Sequence, residues 1–161
     1  MPIMPSDIRI RKACLKDIKS VAELALLLLR YHSNFDPYFL PGKDAGPAYE
    51  KYFRSCVLSR KKLLLIAEKN NRIIGYSLSH ITERPSVFQI RDIGLIDDMF
   101  LISNFRRQGV GRLFLQEISK WFKSKGIKHV ELIVHSANDI GNSVWNKFGF
   151  KDFMIKKRGR I

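Results

Sequence analysis

A chain of 161 residues with 45% hydrophobic content has the size and apolar supply of one compact domain, residues 1–161, and needs no second one. Its 29 Lys and Arg against 15 Asp and Glu give a formal charge of +14, which draws anions, yet the bases are spread over every segment without a recognition-helix or zinc-finger pattern, so specific nucleic-acid binding is not expected. Two cysteines do not make a disulfide framework, no spacing of His, Cys and acids suits a metal, and the longest apolar run, Ala22 to Leu29, carries Glu23 and falls far short of the roughly 20 residues of a membrane span.

In chain order, Pro2, Pro5 and Asp7 stand where a secretory signal needs a basic and then an apolar segment, which predicts a cytoplasmic protein. From Leu15 to Tyr31, apolar Ile18, Val21, Leu24, Ala25 and Leu28 recur at helical spacing, with Lys16, Asp17 and Lys19 on the other side. A loop is expected from Tyr31 to Pro47, carrying Phe35, Tyr38 and Phe39 among prolines and glycines. Lys61 to Lys69 and Arg72 to Ile81 read as strands joined by the turn residues Asn70-Asn71, a hairpin, and Leu95 to Leu101 as the next strand. Val110, Leu113, Phe114, Ile118, Trp121 and Phe122 mark a second amphipathic helix that Gly126 stops. A strand over His129 to His135, a helix over Asp139 to Phe148 with Asn138 as its cap, and a strand around Phe150 to Ile155 complete a mixed sheet with helices on both faces.

The junction Arg106-Arg107-Gln108-Gly109-Val110-Gly111-Arg112 lies between a strand and a helix. A helix start has backbone N–H groups without partners and the positive end of the dipole, so it holds an anion readily. Gly109 and Gly111 let a phosphate approach the backbone closely, and the flanking arginines add charge. On its own this spacing also fits a polar loop with a flexible helix entry.

The wider pattern resembles the GNAT superfamily of N-acetyltransferases. The opening Ile8-Arg9-Ile10-Arg11-Lys12-Ala13 strand with Asp17-Ile18, the hairpin from Ile66-Ala67-Glu68 to Ile74-Gly75-Tyr76, the R-x-x-G-x-G loop at Arg106 to Gly111, and Asn138, Gly141, Trp145 and Gly149-Phe150 carry the resemblance over nearly the whole chain. It implies an α/β (α+β) fold: a mostly antiparallel sheet of six to seven strands, about four helices, and splayed central strands. It also implies acetyl-CoA, its pyrophosphate on Arg106, Arg107, Gln108, Gly109, Val110, Gly111 and Arg112, with Asn138 touching the pantetheine or the pyrophosphate. Backbone amides near Met99, Phe100 and Leu101 would meet the acetyl carbonyl, where unpaired donors stabilise developing negative charge.

The acceptor implied is a primary amine, small molecule or peptide, attacking directly without an acetyl-enzyme. An ammonium of pKa roughly 10 must lose a proton first, and Asp97 and Asp98 are the candidate bases. Strand alternation puts the two on opposite faces, so at most one looks into the cleft. In polyamine-type members a carboxylate stands at the place matching Asp97. Trp145 stands where the family usually has a tyrosine acid, and an indole N–H gives up no proton near neutral pH, so water, Ser143 or His135 would have to substitute. Phe35, Tyr38 and Phe39 would rim the acceptor side, unless they only pack their own loop. Two further readings stand beside the enzyme: an acyl-CoA-binding sensor or regulatory module with little catalysis, motivated by Trp145, and a homodimer, which the family often forms.

Overall fold

In the computed structural model, which describes residues 7–161, β1 (Ile8–Lys12), β2 (Lys62–Lys69), β3 (Arg72–Glu83), β4 (Asp92–Leu101) and β5 (Val130–Leu132) form one sheet in that order. The first three pairings are antiparallel and β4–β5 is parallel. Pro2 and Pro5 lie outside the described residues.

The sheet is covered on both faces, as the unbroken apolar run of β2 requires. Leu64 and Ile66 of β2 join Tyr76, Leu78 and Phe100 beneath α1 (Ile18–Ser33) and α2 (Ala45–Leu58), which contribute Val21, Ala25, Phe53 and Cys56. Their neighbours Leu63, Leu65 and Ala67 point the other way, into a second core with Ile74, Ile96 and the inner stripe of α3 (Val110–Ser124): Val110, Phe114, Ile118 and Phe122. Helix α4 (Asp139–Lys147) packs Trp145 at the margin of that second core.

Local chemistry fixes the joints. Asn70 and Asn71 take φ of 49° and 60° between the paired Lys69 and Arg72, the two left-handed residues that a two-residue hairpin loop requires. Gly126, at φ 73°, ends α3: its amide bonds Lys123 O at 3.0 Å and that of Ile127 bonds Phe122 O at 3.0 Å, a Schellman closure. Phe122 lies against the backbone of β4, and a Cβ on Gly94 would stand 2.5 Å from its ring.

The architecture corrects three expectations. Five strands are present among the described residues, not six or seven. The segment Phe150 to Ile155, expected as a strand, forms none: β5 is only Val130–Leu132, too short an edge to pair with, and Phe153, Met154 and Ile155 are exposed instead. The expected Tyr31-to-Pro47 loop already turns into α2 at Ala45, because Pro47 falls in the first turn, where its missing N–H is no loss, and Phe53 and Cys56 supply a buried stripe.

Candidate active site

β4 and β5 part company. Their parallel ladder has three registers, Gly94–Val130, Leu95–Glu131 and Ile96–Leu132, while β4 runs on from Asp97 to Leu101 with β3 as its one neighbour among the described residues. The backbone of Met99, Phe100 and Leu101 therefore borders a fork. Beyond the fork a short helical turn at Ser103–Phe105 leads to α3.

The turn before α3 matches an anion cradle. Arg107 sits at φ 61° and Gly109 at φ 83°, so the chain doubles back twice and presents its amides outward. Gly109 is the N-cap, no side chain caps the helix, and the amides of Arg107, Gln108, Gly109, Val110 and Gly111 meet no acceptor among the described residues. Nothing lies within 4 Å of the position a Gly109 Cβ would occupy, whereas a Gly111 Cβ would make ordinary contact with Phe148 at 3.6 Å.

The flanking side chains divide the work. Arg106 turns inward: its Nε donates to Leu101 O at 2.8 Å, and its guanidinium lies over Phe100 and Tyr31 at 5.5 and 5.7 Å. Gln108 closes the turn by donating to Asn104 O at 2.8 Å. The side chains of Arg107 and Arg112 make no hydrogen bond or ion pair with the described residues.

Asp97 and Asp98 do not point to opposite faces. A β-bulge between Leu78–Asp98 and Ser79–Ile96 leaves Asp97 without an opposite residue, and the extra residue cancels the alternation. Asp98 Oδ2 accepts from the Tyr76 hydroxyl at 2.9 Å, and Asp97 Oδ2 lies 2.6 Å from Nδ1 of His80. Tyr76 and His80 flank Leu78 on the α1/α2 face of β3, so both carboxylates look that way, towards Tyr49 and Tyr52 of α2. Burial raises the Asp98 carboxyl to a pKa of about 6, offset in part by Tyr76 and reinforced by the neighbouring charge of Asp97. Burial likewise pushes the Tyr52 phenol up, with the charges of Cys56 and Asp97 adding to it.

Asn138 caps α4, accepting from Gly141 N at 2.9 Å, and the same oxygen accepts from the Tyr31 hydroxyl at 3.3 Å, tying α4 to α1. The indole of Trp145 meets Phe148 and Phe150 edge-on, with centroids 5.9 and 5.3 Å apart. Phe35 and Phe39 are stacked on and edge-on to His135, while Tyr38 is exposed. His135 and Ser143, the alternative acids, lie apart from the Asp98 cluster in what they touch: His135 accepts from Ala137 N at 3.1 Å, and Ser143 is exposed.

Residues 28–150 match the model of the acetyltransferase (GNAT) family. The chain belongs to that family. It is an N-acetyltransferase with acetyl-CoA as its cosubstrate. It is 24% identical to the spermidine N(1)-acetyltransferase of Thermoplasma acidophilum over 94% of this chain and 98% of that one. The GNAT fold is shared with a mutant of the BH1408 protein of Bacillus halodurans, with a TM-score of 0.85 and 22% identity over 95% of this chain and 99% of the other. A predicted acetyltransferase of Clostridium acetobutylicum, crystallised with acetyl-CoA, superposes with a TM-score of 0.75 at 22% identity over 95% and 96% of the two chains.

In this GNAT chain the residues that sequence reasoning passed over are Tyr76, His80, Tyr52 and Tyr31. The signal for the first two was present: Tyr76 and His80 stand at alternate positions on one face of a central strand, where a polar group needs a reason. Tyr52 and Tyr31 sit on helices whose contacts with β4 and α4 no local pattern announces.

Proposed function

We propose that the chain moves the acetyl group of acetyl-CoA to a primary amine by direct attack at the β4–β5 fork, with Asp98 as the proton acceptor. The observation that carries this reading is the bulge at Asp97, which brings two carboxylates to one face beside an unpaired stretch of β4. Acetyl-CoA supplies the thioester carbonyl. The outward amides of Arg107 to Gly111, with Arg107 and Arg112, hold the diphosphate, and the free backbone edge of Met99 to Leu101 donates to the carbonyl oxygen as charge develops there.

An amine attacks only after losing a proton, and a carboxylate with a pKa of about 6 takes that proton better than one near 3.8. Asp97, oriented by His80, binds the incoming ammonium. The name of the Thermoplasma relative, a spermidine acetyltransferase, supports an aliphatic amine as acceptor. Neither thiol supports a covalent relay. Cys56 is 1% exposed, with burial pushing its thiol up, and Cys14 Sγ donates to Asp17 at 3.1 Å. Trp145 alone favours the second reading, an acyl-CoA-binding module that turns over little, because it has no proton to give.

Titration calorimetry with acetyl-CoA and turnover with a panel of polyamines, amino acids and N-terminal peptides separate the two. Binding with turnover supports the enzyme; binding without turnover of any amine supports the module; no binding removes both. Gly109→Val puts a side chain where the phosphate would approach. It is expected to weaken acetyl-CoA binding about tenfold, the worth of one charge-assisted hydrogen bond, at a stability cost of about 1–3 kcal/mol from a β-branched residue at positive φ. Unchanged affinity would refute the cradle.

A further inference from the structure

One cluster bordering the fork has no part in the chemistry just described. Asp36 lies between α1 and the helical turn Pro37–Phe39, and its Oδ1 accepts from Tyr38 N at 3.0 Å. Its Oδ2 accepts from Arg158 Nη2 at 2.7 Å and lies 3.7 Å from His135 Nε2. The Arg158 guanidinium also covers the Tyr38 ring, 4.5 Å from its centroid. Phe35 stacks parallel to His135 at 5.9 Å, and Phe39 meets the same imidazole edge-on at 6.0 Å. A carboxylate thus holds a cation beside the Tyr38 ring and the His135 imidazole, and Phe35 and Phe39 pack on that same imidazole.

That cation comes from a segment with few other ties. Lys151 to Ile161 has no helix or strand, Phe153, Met154 and Ile155 are exposed, and no other side chain of the segment makes a hydrogen bond or ion pair with the described residues. The seat, in contrast, is part of the body. His135 follows β5 just beyond the fork, and Phe35 is edge-on to Tyr31 at 5.0 Å, whose hydroxyl bonds Asn138 and whose ring lies under Arg106. A carboxylate and an aromatic face within one cation's reach recognise a guanidinium or an alkylammonium by charge and by the ring quadrupole.

We propose that Asp36 and Tyr38 form a subsite for a second cationic group of the acceptor, and that Arg158 fills it until such an acceptor displaces it. The proposal rests on the amine-acetylating reading above and narrows the acceptor to an aliphatic amine carrying another positive charge. An exposed ion pair and an exposed cation–π contact are each weak, so a free diamine competes with the tethered arginine without unfolding anything. Asp98 and Asp97 then serve the reacting amine, and Asp36 serves the distant one.

The test is calorimetric titration of a series of α,ω-diamines and the matching monoamines onto the protein loaded with coenzyme A, which has no acetyl group to transfer, followed by turnover of the same compounds with acetyl-CoA. Arg158→Ala is expected to raise the ratio of diamine to monoamine affinity by about twofold to fivefold, the range of an exposed charge pair. Asp36→Asn is expected to lower that ratio by a similar factor, and to cancel the gain when the two changes are combined. A ratio unmoved by either variant overturns the subsite. A loss of acetyl-CoA affinity in Arg158→Ala overturns it as well, because the arginine would then serve the cofactor's phosphates. Calorimetry reads the seat even in a chain that turns nothing over, whereas turnover of monoamines by the unmodified protein reads the reaction, so the two failures are told apart. A lysine-containing dipeptide beside the diamines shows whether the second charge belongs to a peptide or to a free polyamine.

Discussion

Two inward-facing aspartates, one between β1 and α1 and the other beside the fork, receive opposite surroundings. Asp17 is 5% exposed and accepts from Arg11 Nη1 and Nη2 at 2.7 and 3.0 Å, from Cys14 N at 2.8 Å and from Cys14 Sγ at 3.1 Å. The Arg11 hydrogen bonds, the largest influence, hold its carboxyl well below the usual range. Arg11 in turn reaches Glu68, with Nε 2.8 Å from Oε2. Asp98 receives one phenol and no Lys or Arg among the described residues, so burial wins and its carboxyl moves the other way. A chain selected for stability alone would supply that carboxylate with a cation or replace it. The first aspartate holds the fold together; the second is held by the fold in a state that favours proton transfer.

The largest effect comes from breaking the second aspartate. Asp98→Asn is expected to lower kcat by about 100-fold to 10,000-fold, the usual worth of a general base, and to erase the acid limb of the rate profile near pH 6. The same substitution should strengthen the fold. A carboxyl whose folded pKa rises from 3.8 to about 6 carries no penalty below pH 4 and its full penalty above pH 6. Denaturant melts should therefore show the variant gaining at most about 3 kcal/mol over the parent at pH 8 and nothing at pH 4. A variant that melts earlier at pH 8 would mean that Asp98 is structural, and the comparison would fail.

Asp17→Asn should do the reverse. It is expected to cost about 2–3 kcal/mol at pH 7 while leaving kcat per folded molecule unchanged. Because the folded carboxyl lies below its unfolded value of 3.8, its contribution is complete above that value and is lost as pH falls through the folded pKa. Urea midpoints of parent and variant should converge in acid. A change in kcat would show that the β1–α1 network reaches the site.

How much of this was legible in the sequence depended on the range of the interaction. The hairpin at Asn70-Asn71, the stop at Gly126, the cap at Asn138 and the helix entry at Gly109 are each decided by a few neighbouring residues, and the structure has all of them. The bulge at Asp97 is decided by pairing with β3 and by the fork, so period-two reasoning placed Asp97 and Asp98 on opposite faces. Helix α2 was hidden because Gly46 and Pro47 read as loop residues until Phe53 and Cys56 have a sheet to cover. Phe150 to Ile155 differs for another reason: its apolar Phe153, Met154 and Ile155 suggest a strand, but the residues do not alternate and β5, three residues long, offers no edge of matching length. Phe35, Tyr38 and Phe39 were legible as a group within one loop, whereas the partner of Asp36 among them, Arg158, lies 122 residues away in the chain.

The smallest effect sharpens the comparison from the leaving-group side. Trp145→Tyr restores a phenol at the family's usual position and is expected to raise kcat by less than about tenfold, well below the loss from Asp98→Asn. The asymmetry follows from the two protons involved. An alkylammonium near pKa 10 has almost no free base at pH 7 and needs a proton acceptor, whereas a thiol of pKa about 8.5 leaves as its anion at little disadvantage and is protonated afterwards by water. The indole, meanwhile, fills an edge-on contact with Phe148 and Phe150, so the smaller ring should cost about 1 kcal/mol of stability in a urea melt. A rise approaching 100-fold would show that protonating the thiolate limits the parent enzyme, and it would move the energetic weight of the site from Asp98 to α4.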